Sequence, residues 1–285
     1  MGLEALVARC SFPAAGTEVC CAVSGGPDSL ALLALATAAG CEVTAVHVDH
    51  GLRAGSAAEA DVVAAAAHRF GAGFRAVTAP VASGPNLEAR ARAARHAALP
   101  AGSLLGHTAD DLAETVLLNL LRGASLDGLA GFDPRRRPIR RLRRAETHAL
   151  CTELRLEPVQ DPSNLDPVHR RNRVRHELLP VLDAVAERDV VVVLARQAEL
   201  LRDDADLLDS LAAGIDPTDA AALAAAPISL ARRAVRGWLR DGAEHHPPDR
   251  ATVDRVLDVA RGRAVACEVG GGREVRRSRG QLILS

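Results

Sequence analysis

Short apolar runs alternate with helical patterns across the first 121 residues, and that alternation restricts the fold more than any other feature of the chain. Residues 18–23 (EVCCAV) form a strand-like run that ends in Ser-Gly-Gly, a tight-turn signal. Ser29 to Ala39 is helical in pattern and closes on Gly40, the residue type favoured just past a helix end. Residues 41–48 (CEVTAVHV) are alternating and β-branched, a second strand. The pattern predicts a helix over 57–70, a strand over 74–78, a helix capped by Asn86 and running to about Ala98, a strand over 103–106 and a helix from Asp110 to Leu121. Strands and helices in alternation build a parallel sheet covered on both faces, with ligands bound beyond the carboxyl ends of its strands. The expected fold class is therefore α/β, Rossmann-like. Ser-Gly-Gly, HVDHGLR (47–53) and GHTADD (106–111) all fall at such ends, which points to a single site.

From about residue 145 the pattern turns helical, over 145–156, 172–213 with interruptions, 219–226, 229–241 and 250–260. Residues 264–284 alternate apolar and polar around Gly-rich turns, a small antiparallel meander. Two domains are expected: 1–190, and a smaller, mainly helical 191–285 that ends in the meander.

Composition removes several function classes. The chain has no lysine, so all 35 basic side chains are Arg. A Walker A loop, a protein kinase and a pyridoxal enzyme each need a lysine at the reacting group, and all three are excluded as normally built. No run of eighteen apolar residues suggests a membrane span, and the start lacks a signal-peptide pattern. The six cysteines form no C-x-x-C pair and read as reduced, buried thiols of a cytoplasmic protein. Net charge is −1, yet residues 135–144 hold seven arginines and 170–175 hold four. Such clusters suit a phosphate backbone as well as a solvated face.

Ser24-Gly25-Gly26-Pro27-Asp28-Ser29 joins a strand to a helix. Two glycines let the backbone approach an anion, and N–H groups at a helix start stabilise phosphate oxygens. Ser24 and Ser29 add hydroxyls. Asp28 repels a bare phosphate, so its place here implies a divalent cation between the two. In HVDHGLR, His47 and Asp49 share one side of a strand and His50 lies on the other, while Arg53 is placed to reach a phosphate. Glu88, Arg92 and Arg95 share one helical face, which by spacing alone is equally a surface salt-bridge ladder. In GHTADDLAET, His107 sits at the strand end, and Asp111 and Glu114 share a helix face. Two carboxylates suit an amine, holding the ammonium and carrying its proton away; the same residues also make an acidic, capped helix start.

SGGPDS resembles the PP-loop of the N-type ATP pyrophosphatases. HVDHGLR, the Glu88–Arg95 segment and H-x-x-x-D-x-x-E-T (His107, Asp111, Glu114, Thr115) resemble blocks of the tRNA(Ile)-lysidine synthetases within that superfamily. Leu121-Arg122-Gly123 with Leu126-Asp127-Gly128-Leu129 is similar to a later block, as is Asp161-Pro162-Ser163-Asn164 followed by Arg171-Asn172-Arg173-Val174-Arg175 and Leu179-Pro180. The resemblance covers roughly residues 18–185. It implies ATP on residues 24–29, with His50 and Arg53 in the nucleotide pocket and Mg²⁺ on Asp28. It implies adenylation at C2 of the wobble cytidine of a tRNA(Ile) with a CAU anticodon, followed by attack of free L-lysine. Asp28, His107, Asp111 and Glu114 are then the catalytic candidates. Glu88, Arg92, Arg95, Asp111, Glu114, Arg122, Asn172 and Arg175 are the substrate-binding ones. Which carboxylate faces lysine and which the metal stays open, and a homodimer is compatible with the sequence. The first domain would adenylate and the second would hold tRNA. His96 stands where the family has Tyr, and Arg140-Arg141-Leu142-Arg143 where it has Arg-Pro-Leu-Leu. A tRNA thiolase on the same scaffold and a non-catalytic nucleotide- or tRNA-binding module are the rival readings; the thiolases need C-x-x-C pairs that this chain lacks.

Overall fold

The computed structural model describes residues 2–49, 56–80, 90, 93–94, 97–159, 166–240 and 248–285. Five candidates, His50, Arg53, Glu88, Arg92 and Arg95, lie outside the described residues, as do His96 and the 161–164 block. The chain divides into two compact units, Met1–Glu199 and Leu200–Ser285.

In the first unit the strands β1 (Glu18–Ala22), β2 (Glu42–Asp49), β3 (Gly73–Thr78) and β4 (Leu104–Leu105) are all parallel, in the order β3-β2-β1-β4. β4 is shorter than the expected 103–106. Alternation sends Cys21, Val43 and Ala45 to one face and Cys20, Ala22 and Val46 to the other. The helices of this unit are α1 (Leu3–Val7), α2 (Pro27–Ala38), α3 (Ser56–Arg69), α4 (Ala109–Leu121), α5 (Leu126–Leu129), α6 (Arg144–Glu153), α7 (Arg170–Arg173) and α8 (Leu179–Ala186), and α9 (Val190–Ala212) carries the chain across the division at Glu199. α2 is buried on every side from Ser29 to Ala36, which is why its sequence is apolar all round. It stops at Gly40, whose φ of +82° is the left-handed conformation that glycine adopts without strain.

β2 and β3 lie to one side of β1, and β4 lies to the other. The strand order therefore reverses between β1 and β4, and the crevice for ligand in an open parallel sheet sits at that reversal. The segments leaving these two strands are SGGPDS and GHTADD. Between α7 and α8 the chain makes a π-helical turn, Val174–Leu178. Pro180 explains it: with no N–H for the carbonyl of His176, and a ring that crowds it, a regular α-turn there would be strained.

The second unit packs α10 (Ala220–Ala225), α11 (Ile228–Arg240) and α12 (Arg250–Ala260) on the antiparallel sheet β5 (Ala266–Gly270), β6 (Arg273–Ser278) and β7 (Gln281–Leu284). Leu223, Val235, Leu239, Val256, Leu257, Val275 and Leu282 form its core. From β6, Arg273 donates to the carbonyl of Leu239 at 3.4 Å and Arg277 to that of Ala260 at 2.9 Å, satisfying the last carbonyls of α11 and α12. Among the described residues no helix is long and apolar enough to cross a membrane. All six cysteines are free thiols. Burial pushes Cys21 up to about 12 and Cys151 to about 11.

Candidate active site

The turn after β1 braces itself. Ser29 Oγ donates to the Gly26 carbonyl at 2.8 Å, accepts the Ser24 N–H at 3.1 Å and lies 3.2 Å from Ser24 Oγ. The Ser29 hydroxyl is thus a strut of the loop, whereas Ser24 is exposed. Gly25 has φ +87°, and a Cβ there would stand 2.9 Å from Val159 Cγ2, so both backbone and space require glycine. Gly26 is the N-cap of α2 and Pro27 follows in the first turn, where a missing N–H costs nothing. The positive end of α2 therefore opens at the strand reversal, an end of the helix that suits an anion.

The turn after β4 presses against the same helix end. A Cβ on Gly106 would lie 2.8 Å from the Asp28 carbonyl, so glycine lets β4 deliver His107 beside α2. Thr108 caps α4, and its N–H donates to Asp111 Oδ2 at 2.8 Å. Asp111 and Glu114 then turn inward from α4; Glu114 is 0 % exposed.

Three arginines meet these acids. Arg144 Nη2 is 3.0 Å from Asp111 Oδ1, its Nη1 is 3.1 Å from Glu114 Oε1, and its Nε is 3.5 Å from Asp28 Oδ2. Arg171 Nε donates to Glu114 Oε2 at 2.7 Å, and Arg175 Nε to Oε1 at 2.7 Å. Thr147, also 0 % exposed, sets its single hydroxyl proton between Asp28 Oδ1 and the Arg144 carbonyl, the latter 2.8 Å away. Asp28, Asp111 and Glu114 are thereby matched by three guanidiniums in one largely buried cluster. Fork-shaped donors hold such geometry better than point charges.

The acids differ in proton affinity. Burial, with Asp111 nearby, raises the Asp28 carboxyl above its ordinary value, and Thr147 and Arg144 only partly oppose that. Burial acts on Asp111 in the same sense, but Arg144, His107 and Arg171 outweigh it and hold Asp111 below the usual range. Asp110, bound by Arg143 at 3.0 Å and by the Arg144 N–H at 2.7 Å, is lowered likewise despite burial. Arg144 is raised: burial opposes its charge, and the surrounding carboxylates overcome that.

Of the candidates within the described residues, the structure brings Asp28, His107, Asp111, Glu114 and Arg175 together around the residue 24–29 loop. Two others stand apart. Arg122 is exposed beyond the end of α4. Asn172 is buried and spends its amide on the Asp166 carbonyl at 2.8 Å, fixing the turn before α7. Both oxygens of Glu114 are occupied by guanidiniums, so a substrate amine reaches it only by displacing them. Sequence reasoning missed Thr147, and placed Arg144 and Arg171 only in arginine clusters suited to a phosphate backbone, not beside these acids. The spacing of Arg144, Thr147 and Cys151 at three and four was the available signal for one face of α6.

The donor set fits a magnesium ion held mainly by nucleotide. Asp28 offers a hard carboxylate oxygen at the helix end, its charge incompletely offset, and such sites use one or two carboxylates with phosphates and water.

Two family models match the chain: a PP-loop domain over residues 3–182 and a TilS substrate binding domain over 219–283. It is 42% identical to the tRNA(Ile)-lysidine synthase of Nocardia farcinica, over 96% of this chain and 93% of that one. The chain belongs to the tRNA(Ile)-lysidine synthase family. Other members include those of Rhodococcus erythropolis (42% identical, 94% and 89% covered) and Mycobacterium tuberculosis (41%, 92% and 89%). The fold is shared with the solved U34-tRNA thiolase NcsA of Methanococcus maripaludis, at TM-score 0.58 and 19% identity over 70% of this chain and 78% of that one. The PP-loop domain match spans both segments that leave β1 and β4.

Proposed function

We propose that this protein is a carbon–nitrogen ligase that converts the wobble cytidine of a CAU-anticodon tRNA(Ile) to lysidine, consuming ATP and free L-lysine and releasing AMP and pyrophosphate. The juxtaposition at the β1/β4 reversal carries this reading: an anion-binding helix end faces acids and arginines in one cleft. Family membership over nearly the whole chain supports it against the thiolase and the binding module.

In the first step the cytidine O2 attacks the α-phosphorus of ATP and the bond to pyrophosphate breaks. The α2 N-terminus and Gly25-Gly26 receive phosphate oxygens, with Ser24 at the rim. Magnesium, when bound, supplies charge neutralisation on those oxygens, and Asp28 is the residue that would hold it. Arg144, Arg171 and Arg175, held on Asp111 and Glu114, supply positive charge beside the loop for the negative charge that develops on the phosphate. In the second step the lysine amine attacks C2 and the bond to AMP breaks. Free lysine is an ammonium with a pKa of about 10.4 and must shed a proton first. Asp111, beside His107, is the carboxylate assigned to hold and orient that ammonium; held below the usual range, it does not keep the proton, which leaves to solvent. Glu114 keeps the guanidiniums in place. The first unit performs this chemistry; the second, with Arg122 of the first, holds the tRNA backbone.

The test is incubation of the isoleucine tRNA with ATP, magnesium and radiolabelled lysine, followed by nucleoside analysis. Label recovered in a modified cytidine supports the reading; pyrophosphate release stimulated by a sulfur donor instead of lysine sinks it.

A further inference from the structure

Thr147 belongs to none of the motifs that point to the site, yet it is buried completely against Asp28. It shares one face of α6 with Arg144 and Cys151, and that face meets the first turn of α2: Cys151 Sγ donates to the Pro27 carbonyl at 3.3 Å. The two oxygens of Asp28 are therefore treated differently. Oδ1 takes a neutral hydroxyl from a β-branched side chain with few rotamers, whereas Oδ2 faces the Arg144 guanidinium.

We propose that Thr147 is a positioning residue that fixes Oδ1 so that Oδ2 addresses the metal–nucleotide, and that Arg144 occupies the cation place beside Oδ2 until the metal displaces it. This rests on the reading of Asp28 as the metal carboxylate. A carboxylate turns readily about its terminal torsion, so without an anchor either oxygen would meet either neighbour. The Arg144 contact with Asp28, at 3.5 Å, is the loosest of its three. When Arg144 leaves Oδ2 it keeps Asp111 and Glu114, and the arriving cation takes over Asp28. No charge is left buried and unpaired, so the exchange avoids the large penalty for breaking a buried pair.

The test uses the full chain and Mn²⁺ as a spin probe in the presence of ATP. Thr147→Val keeps the shape and removes the hydroxyl; Thr147→Ser restores it. Expected is a roughly tenfold loss of Mn²⁺ affinity in Thr147→Val, the scale of one hydrogen bond to a charged group, with recovery in Thr147→Ser. Circular dichroism establishes that each variant is folded. Arg144→Gln is expected to bind Mn²⁺ without nucleotide more tightly than wild type does. Wild-type Mn²⁺ affinity in folded Thr147→Val overturns the anchoring role, and unchanged nucleotide-free affinity in Arg144→Gln overturns the exchange. A wild-type chain that fails to hold Mn²⁺ with ATP at all overturns the metal role of Asp28 itself.

Discussion

Replacing Glu114 by Gln keeps the shape of the side chain and removes one charge from beneath three guanidiniums. The carboxylate accepts from Arg144 at 3.1 Å, Arg171 at 2.7 Å and Arg175 at 2.7 and 3.3 Å. An amide retains one acceptor oxygen and turns its NH₂ group toward donors, so at least one guanidinium loses its partner. Removing one member of a buried ion pair costs about 3–5 kcal/mol. The three arginine side chains are 17%, 32% and 22% exposed and can recover some hydration, which places the expected cost near the low end, about 3 kcal/mol. For a unit of this size each kcal/mol moves the midpoint by about 2–4 °C, so Tm should fall by about 6–12 °C. Differential scanning calorimetry of the ligand-free enzyme measures it, and the transition of the first unit is the one to follow. A shift under about 2 °C would refute the claim that this cluster holds the cleft together.

Asp28→Asn should abolish lysine-dependent pyrophosphate release and, at pH 7, raise the Tm of the ligand-free enzyme. A carboxyl whose folded pKa is raised loses stability as pH climbs from 3.8 through that raised value, and Asn escapes the loss. Asp110 has the opposite sign: its lowered pKa contributes stability above 3.8 that disappears as pH falls through the folded value. Asp110→Asn should therefore unfold earlier than wild type at pH 7, with the two melting curves converging in acid below 3.8. Gly106→Ala puts a methyl 2.8 Å from the Asp28 carbonyl and should cut ATP affinity more than it cuts stability, by equilibrium binding and thermal melting. Arg122→Ala, at an exposed position, should leave Tm and ATP binding unchanged and lower the salt dependence of tRNA affinity by about one unit of slope.

The parts of this site carried by local sequence were readable in advance. SGGPDS and GHTADD announce themselves because a strand, a turn and a helix start are written in adjacent residues, and glycine is placed where backbones touch. The antiparallel meander was equally legible, since period-two alternation and glycine turns need no distant partner. Pairings over long separations were not legible. Glu114 looks from sequence like a free acid for an amine, because Arg144, Arg171 and Arg175 stand 30, 57 and 61 residues away. Asn172 enters as a substrate contact only through the family block RNRVR; that its amide closes a turn on the Asp166 carbonyl is not written in that segment. Thr147 was hidden inside a helix read only as a helix. The strand order, which puts two motifs side by side at one reversal, is a property of the sheet and of no single segment.

The wide turn ahead of Pro180 has an evolutionary corollary. Arg171 lies just before it and Arg175 within it, and both address one carboxylate. Each residue advances a helix by about 100°, so inserting or deleting a single position between them would swing one guanidinium out of the cleft. Substitutions here can drift, but length should be frozen: relatives that keep a proline at this point are expected to keep the count of residues between it and both arginines as well.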